Sequence, residues 1–392
     1  MYLRTCSFGL LALLVVVCFG SCTKVEKPAA DARVASAAST AMPSDAQLKQ
    51  RLDDVIIYTK TQRHLDTKVQ AAWQIVHGAL VFGRDFQVYD NNGELVSALD
   101  YLLGGGELKG WTMRPGDHGV LAVIEAGTKT GQGHPDQWLG YLSQCGLQPD
   151  EPLKVGGRDY HISDLITQAQ WDIYEGMEAT WTLMAFCTYL PLDAKWKAKD
   201  GSTWTIERIV AMEAKQDLGL SACGGSHRLY GLSVALNRHL KEGGKLTGAW
   251  KEADKVIQDS ISKAREYQQP DGGFSTNFFS RAASSPDLAL RINTTGHTLE
   301  FLTLALGDEE ISKPWVKRAV NYLVDVLDRT KKADLECGSL YHAVHGLALY
   351  RLRQFGPPSE TDMKAARTAA DQQNGAAKNP AQTTAAKPAD RN

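Results

Sequence analysis

The order of apolar and polar residues predicts a chain built almost entirely from α-helices. Residues 45–61 (DAQLKQRLDDVIIYTKT) place Leu48, Leu52 and Val55 three and four positions apart, which gives a helix with one apolar stripe. Residues 69–83 (VQAAWQIVHGALVFG) are apolar or small on nearly every side, as expected of a helix that other helices surround. The first pattern predicts an outer helix and the second an inner helix.

The two patterns alternate along the chain. Outer-type stripes recur near 94–103, 134–146, 203–217, 250–268 and 312–330. The more apolar, glycine-containing segments recur near 116–127, 171–190, 223–240, 294–306 and 338–354. Helix pairs that repeat in this way need their neighbours to bury the inner face. Because the pairs are unequal in length, we expect them to close into a ring, an all-α fold of the α/α-toroid type with about six inner and six outer helices.

The first 22 residues have the pattern of an export signal. A basic start at Arg4 precedes the apolar run LLALLVVV, which is too short to span a membrane. Phe19-Gly20-Ser21-Cys22 resembles the bacterial lipobox, in which the cysteine is acylated and becomes the new first residue. The resemblance implies lipidation of Cys22 and an exported, membrane-anchored lipoprotein of the cell envelope. Ordinary secretion with cleavage nearby is the alternative.

Composition divides the rest of the chain. Residues 23–44 are rich in Ala, Ser and Pro and predict a flexible tether, and residues 357–392 lack apolar residues and predict a disordered tail. The folded domain is therefore expected at 45–356. With 43 basic and 45 acidic residues, the chain has no overall charge that would favour nucleic acid as a partner.

Two short segments carry a resemblance to a known superfamily. AREYQQPDGGFSTNF (264–278) resembles the Q-x-x-D-G-x-W/F motif of squalene cyclases and protein prenyltransferase β subunits, which are α/α toroids. LYHAVHGLAL (340–349) resembles the prenyltransferase segment whose histidine binds zinc. The resemblance implies the toroid fold. It does not extend to terpene chemistry, because the sequence has no D-x-D-D acid motif, no D-D-x-x-D motif and no Asp-x-Cys.

A motif of cysteine, glycine, histidine and Gly-Leu occurs twice, as CGGSHRLYGL (223–232) and CGSLYHAVHGL (337–347). TTGHTLEFL (294–302) is a third version with the histidine again at a predicted helix start. If the inner helices of a ring run parallel, these starts meet at one mouth of the ring. The candidates for one site are then His227, His297, His342 and His345.

Three interpretations of this cluster stay open. In the first, the glycines allow helix contact and the histidines only support packing. In the second, the cavity binds an organic ligand or a peptide segment. Its catalytic candidates are His227, His297, His342, His345 and Glu178, and its ligand-binding candidates are Arg228, Arg291, Glu175, Glu300 and Trp181.

In the third interpretation zinc is bound by Cys223, His227, Cys337 and His342. A disulfide between Cys223 and Cys337 is a variant of it, since an exported protein can form one. The spacing argues against both, because Cys223 precedes its histidine by four residues and Cys337 by five. We therefore expect no metal and no other cofactor.

Acidic residues between two tryptophans suggest a further activity. In QAQWDIYEGMEATWTLMAF (168–186), Asp172, Glu175 and Glu178 are spaced by three on one face of a predicted helix. Toroidal glycoside hydrolases and polysaccharide lyases hold sugars with acids and aromatic rings. The main expectation is a lipid-anchored protein that binds an organic ligand or a peptide segment in its central cavity, and the sequence leaves open whether it is an enzyme. The alternatives are a hydrolase or lyase acting on an envelope polysaccharide, and a zinc-dependent transferase-like enzyme.

Overall fold

A computed structural model describes residues 42–375 of the chain. The expected signal segment, the lipidation site at Cys22 and nearly all of the tether lie outside the described residues. Helices dominate: α1 (Asp45–Gln62), α2 (Ala72–Phe82), α3 (Ala98–Leu103), α4 (Gln137–Gln144), α5 (Ile162–Asp172), α6 (Thr180–Tyr189), α7 (Ile206–Ala214), α8 (Ser226–Lys241), α9 (Gly248–Glu266), α10 (Leu288–Ala305), α11 (Asp308–Ile311), α12 (Pro314–Arg329), α13 (Cys337–Phe355) and α14 (Glu360–Gly375).

The central packing comes from α2, α4, α6, α8, α10 and α13. Each of these six helices contacts the next of the six along the chain, and the last, α13, contacts the first, α2. The contacts therefore form a closed cycle of six inner helices. The longer outer helices lie behind them: α1 packs on α13, α9 on α8, and α12 on both α10 and α13. The prediction of a mostly helical chain is confirmed for the residues that the structure describes.

Small residues let two inner helices come close. At Gly296 of α10, a Cβ atom would lie 2.7 Å from the backbone of Ala343 in α13, which is closer than carbon atoms can pack. At Gly346 of α13, it would lie 3.2 Å from the Glu300 nitrogen of α10. The two glycines thus allow α10 and α13 to place facing side chains in direct contact.

The structure also contains short β-hairpins that the sequence did not predict. Three of them lie at equivalent positions, between an inner helix and the outer helix that follows it. The strands are β1 (Leu65–Asp66), β2 (Gln87–Tyr89), β3 (Leu95–Ser97), β4 (Trp111–Pro115), β5 (Val120–Ile124), β6 (Pro152–Val155), β7 (Arg158–His161), β8 (Lys195–Lys197) and β9 (Thr203–Thr205). The antiparallel hairpins β2/β3, β6/β7 and β8/β9 each follow an inner helix and lead directly into the outer helices α3, α5 and α7. Each buries one strand residue completely, namely Val88, Leu153 and Trp204. The three connections are structural repeats.

Two predictions, one for the second helix pair and one for the third, were wrong. Residues 116–127 were expected to form an inner helix, but they contain β5 of the β4/β5 hairpin. The turn forms at Gly119, whose φ of 152° brings it against the Asp164 carbonyl, where a Cβ atom would lie at 2.1 Å. Residues 134–146 were expected to form an outer helix, but α4 contacts the inner helices α2 and α6.

Two other predicted boundaries are corrected. The segment 171–190 was predicted as one helix, but α5 ends at Asp172 and α6 begins at Thr180. The tail was expected to be disordered from 357, but α14 packs against α1 and fully buries Ala366. The tail residues 376–392 lie outside the described part. Within residues 42–375, no helix is both long and apolar enough to cross a membrane.

Candidate metal centre

The six inner helices each direct two side chains, three residues apart, into the middle of the helix cycle. The pairs are His77 and Leu80, Tyr141 and Gln144, Trp181 and Met184, His227 and Tyr230, His297 and Glu300, and His342 and His345. Residues at this spacing lie on one face of a helix, one turn apart. All of them except His77 line a cavity of about 20 Å³, and the His77 ring contacts that of His342 with 4.7 Å between the ring centres.

Glu300 is a buried carboxylate that accepts three hydrogen bonds from imidazoles. The Nδ1 atoms lie within 2.8 Å for His342, 2.7 Å for His345 and 3.3 Å for His297. Burial alone would raise the pKa of Glu300, but His342 and the three hydrogen bonds hold it well below the usual value. An ionised carboxylate only accepts, so each Nδ1 carries a proton. In their neutral forms, these histidines leave the Nε2 lone pair free for another partner.

Two more imidazoles have the same tautomer. His77 donates from Nδ1 to the Trp73 carbonyl and accepts at Nε2 from the Tyr141 hydroxyl at 3.0 Å. Burial lowers the pKa of His77 to about 4. His134 donates from Nδ1 to Glu178 at 2.8 Å. In the neutral form, this tautomer has its lone pair on Nε2, and in His77 the Tyr141 hydroxyl already uses it.

His227 is a buried imidazole without a hydrogen-bond partner at either ring nitrogen within residues 42–375. Its side chain is only 7% exposed. Burial and the neighbouring His297, His134 and His342 lower its pKa well below the usual value, so the ring is neutral. A buried polar group that makes no bond is costly. This arrangement points to a partner that protein atoms do not supply.

Cys223 brings a thiol to the same place. It lies in the turn before α8 with φ 50° and ψ 38°, a left-handed conformation that few residues other than glycine adopt. Its Sγ atom lies within 4.8 Å of one ring nitrogen each of His227 and His297, and those two nitrogens lie within the same distance of each other. Although burial lowers the pKa of His297, Cys223 and Glu300 raise it to about 10.

Cys223, His227 and His297 have the chemistry of a zinc-class metal site. Thiolate and imidazole are the ligands of zinc and of soft or borderline transition metals, and three protein ligands leave one tetrahedral position open. Glu300 occupies the usual position of an outer carboxylate that orients a ligating histidine. In a second triplet, His297, Glu300 and His342, the possible ligand atoms also lie within 4.8 Å of one another. There, however, Glu300 already accepts hydrogen bonds from the imidazoles.

The structure brings together most of the residues that the sequence singled out. The cavity is lined by His227, His297, His342, His345, Glu300 and Trp181. Glu178 lies beside it through its bond to His134, whose ring centre is 5.3 Å from that of His227. The expectation that these four histidines lie together therefore agrees with the observed positions. The prediction that His297 lies at a helix start was wrong, because it lies in the middle of α10.

Three expected ligand-binding residues are engaged elsewhere. Arg228 donates to the buried Glu213 at 2.6 Å, and Arg291 pairs with Asp271. Glu175 is exposed and accepts from Arg208 at 2.9 Å. The three acids Asp172, Glu175 and Glu178 do not share a helix face, because the chain leaves α5 at Asp172 and α6 begins only at Thr180.

Cys337 does not belong to the cluster. Its Sγ accepts from the Gln74 side chain at 3.6 Å and lines a separate cleft with Arg63 and Tyr341. Cys145, Cys187, Cys223 and Cys337 are all free thiols. The set of four ligands that the repeated motif suggested, and the disulfide from Cys223 to Cys337, are therefore both wrong.

Sequence reasoning did not select His77, His134 or Tyr141. The sequence does show His77 on a predicted inner helix, three residues before an apolar residue. However, the segment before His77 lacks the cysteine that begins the repeated motif. His134 and Tyr141 belong to the segment that was assigned to the outer layer. Comparisons of the chain with protein-family models, curated proteins and solved structures found no match.

Proposed function

We propose that this protein is a metal-dependent enzyme of the α/α-toroid type, with one zinc-class ion bound by Cys223, His227 and His297. The ion would sit where the helices α8 and α10 face each other, with its fourth position open to the cavity. Catalytic zinc sites keep an open position of this kind, at which water or a substrate is polarised. Glu300 would orient His297 from behind.

The observation that carries the proposal is the partnerless, neutral and buried imidazole of His227 beside a thiol and a second imidazole. Packing alone gives no reason to leave the lone pair of a buried imidazole without a partner next to a thiol. A bound cation would take this lone pair as a ligand, and it would replace the proton that the raised pKa of His297, about 10, keeps on that ring in the metal-free protein.

The size of the cavity also favours an ion over a whole organic ligand. About 20 Å³ is enough for one or two water-sized groups. A terpene, a sugar or a peptide segment held entirely within the inner helices would require those helices to separate. An extended substrate would therefore present only its reacting end to the metal.

The toroid and the membrane anchor are parts of the same proposal. The closed cycle of contacts among α2, α4, α6, α8, α10 and α13 supports the toroid assignment. The lipobox-like sequence before Cys22 supports export and lipid anchoring in the cell envelope. A Cys22→Ser variant that stays in the membrane fraction would argue against the anchor.

Metal content tests the proposal directly. Protein purified without chelators, or reconstituted with Zn²⁺ or Co²⁺, should hold about one ion per chain, measured by elemental analysis. Cobalt bound through Cys223 should give a thiolate-to-metal charge-transfer band in the near ultraviolet. The variants Cys223→Ser and His227→Ala should lose both the ion and the band.

Cys337→Ser is the matched control, because Cys337 is a free thiol outside the cluster. It should keep the ion and the band. A wild-type protein that takes up no zinc and no cobalt would refute the metal centre, and so would equal metal loss in the Cys337→Ser variant.

A second candidate function uses Cys223 as a nucleophile without metal. The order Cys223, His297 and Glu300 matches the nucleophile, base and orienting acid of a catalytic triad. The left-handed conformation of Cys223 before the start of α8 fits a strained, activated thiol. Rapid alkylation of Cys223 by iodoacetamide in protein that binds no metal, slowed in a His297→Ala variant, would favour this function.

A further inference from the structure

The wall of the central cavity contains few hydrogen-bond donors that are still available. The Nδ1 protons of His297, His342 and His345 are taken by Glu300. The Gln144 amide donates to the Gly140 carbonyl at 3.1 Å and to the Met184 sulfur at 3.4 Å. The Ser226 hydroxyl donates to the Cys223 carbonyl at 2.5 Å.

Besides the single N–H of the neutral His227 ring, Trp181 is a donor that remains. Its side chain is 2% exposed, and its Nε1–H has no hydrogen-bond partner among residues 42–375. The ring centre lies 5.2 Å from that of His227, and the residue lines the cavity. An indole nitrogen can only donate, so its missing partner must be an acceptor.

Tyr230 is the second remaining donor. It lines the same cavity, one turn after His227 on α8. Its hydroxyl makes no hydrogen bond to the part of the chain that the structure describes, and its ring centre lies 6.3 Å from that of His345. Burial raises the pKa of Tyr230, so the hydroxyl keeps its proton and can donate.

We infer that the open position of the metal takes an oxygen anion of the carboxylate class, held by Trp181 Nε1–H and Tyr230 Oη–H. This inference rests on the proposed metal centre. One oxygen of the carboxylate would bind the ion, and its lone pairs would accept from the two donors. A ligand that only donates would leave the buried Trp181 Nε1–H unpaired, which is costly.

The cavity limits which part of a molecule can bind there. A volume of about 20 Å³ accommodates one or two water-sized groups, such as the oxygen atoms of formate or of the terminal carboxylate of a longer molecule. The reaction class that this arrangement serves is chemistry at a carbonyl or carboxyl carbon. There, the same donors would meet the oxygen on which negative charge develops.

Formate binding to the cobalt-loaded protein tests the inference. Formate should change the visible absorption of Co²⁺ as it enters the coordination sphere, and a titration at one fixed pH gives its Kd. In Trp181→Phe and in Tyr230→Phe, we expect the Kd for formate to rise about tenfold or more, because each variant lacks one charge-assisted hydrogen bond.

The matched controls are Trp138→Phe and Tyr350→Phe. Both residues are buried, and their polar atoms also lack a partner among residues 42–375, but neither lines the cavity. They should leave the Kd for formate unchanged. Cobalt stoichiometry and the melting temperature are measured for every variant to show whether it folds. If Trp181→Phe or Tyr230→Phe does not fold, the test uses the other of these two variants.

Acetate and benzoate in the same titration distinguish the sources of the carboxylate. Binding of formate and acetate but not benzoate would indicate a small free acid, and binding of all three would indicate the end of a larger molecule. Both results support a carboxylate ligand. An unchanged Kd in both cavity variants, or a cobalt spectrum that does not respond to formate, would overturn the inference and leave the metal centre intact. A protein that binds no cobalt would instead refute the metal centre itself.

Discussion

At the scale of single residues, Glu300 organises the centre of the protein. One carboxylate fixes the ring orientation and the tautomer of three histidines that come from two helices, α10 and α13. Its Oε1 accepts from His342 at 3.0 Å and from His345 at 2.7 Å. Its Oε2 accepts from His342 at 2.8 Å and from His297 at 3.3 Å. Removing this charge would leave three N–H groups without their acceptor in a buried place, where each unsatisfied donor is costly.

Glu300→Gln tests this role. The amide keeps the size of the side chain but removes its charge and one acceptor. We expect the free energy of unfolding to fall by about 3 kcal/mol, as for a broken buried ion pair, and the metal affinity to fall 10- to 100-fold, as for other outer-shell carboxylates. Urea denaturation and a metal-competition titration measure the two effects.

Glu309→Gln is the control for this change, since Glu309 is exposed on α11. Surface substitutions of this kind change stability by about 0.5 kcal/mol or less. Equal effects of the two variants would contradict the central role of Glu300.

The sequence identified residue types better than it identified partners. His227, His297, His342 and His345 could be placed together because they belong to repeated motifs in segments predicted as inner helices. The pairing of Arg228 with Glu213 could not, because the partner lies on α7 and the sequence carries no pattern that joins them. A free charge and a paired charge look alike in sequence, although only the free one can bind a ligand.

At the scale of helices and strands, apolar periodicity was reliable where the helices are long. The predicted segments 45–61, 250–268 and 312–330 correspond closely to α1, α9 and α12. Where the chain turns within a few residues, the pattern was ambiguous, because a short apolar run fits a strand as well as a helix. Residues 116–127 show the failure, since VLAVI in β5 is rich in β-branched residues that favour strands.

The helix α14 is an element that composition did not reveal. It is rich in alanine, and the small side chains of Ala366 and Ala370 are buried where the helix packs on α1. Asp362 adds an ion pair to Lys49 at 2.6 Å. A helix with so few large apolar residues gives a weak amphipathic pattern, yet it covers part of the outer layer.

Truncation before α14 measures its contribution. A chain that ends at Gly356 should have a melting temperature several degrees lower than that of the full chain, because α1 loses the cover of Ala366 and Ala370. A chain that ends at Gly375 is the control that separates α14 from the residues after it. Identical melting temperatures for the two truncated chains would show that α14 adds nothing to stability.

At the scale of the whole molecule, the buried histidines make folding depend on pH. Burial lowers the pKa of His77 to about 4 and places those of His227 and His342 well below the usual value. The unfolded chain binds these protons near pH 6.5, and the folded chain does not. Stability is therefore lost as the pH falls from about 6.5 towards 4.

Other groups change the size of this effect but not its direction. Burial raises the pKa of Asp136 to about 6, so this acid favours the folded state as the pH falls and offsets roughly one histidine. The raised pKa of His297, about 10, adds stability only when the pH falls from about 10 to 6.5, and its contribution is constant below that. The net change between pH 6.5 and 4 is a loss.

Urea denaturation of metal-free protein at pH 7, 5.5 and 4 tests the pH dependence. His77 alone accounts for a loss of about 3 kcal/mol over this range. A His77→Gln variant should therefore show a shallower decline than the wild-type protein. Stability that is constant or rises as the pH falls would contradict the neutral state of these imidazoles.

The contact between α2 and α13 also determines when the centre can exist. These helices comprise residues 72–82 and 337–355. More than two hundred residues must therefore be synthesised after α2 before α13 is complete. Contacts between such distant segments form late and slowly. While the chain is still being made, His342, His345 and Glu300 have no common environment, and the thiol of Cys223 has no enclosed partner. Metal uptake would then be the last event of maturation, after the chain has been released in full.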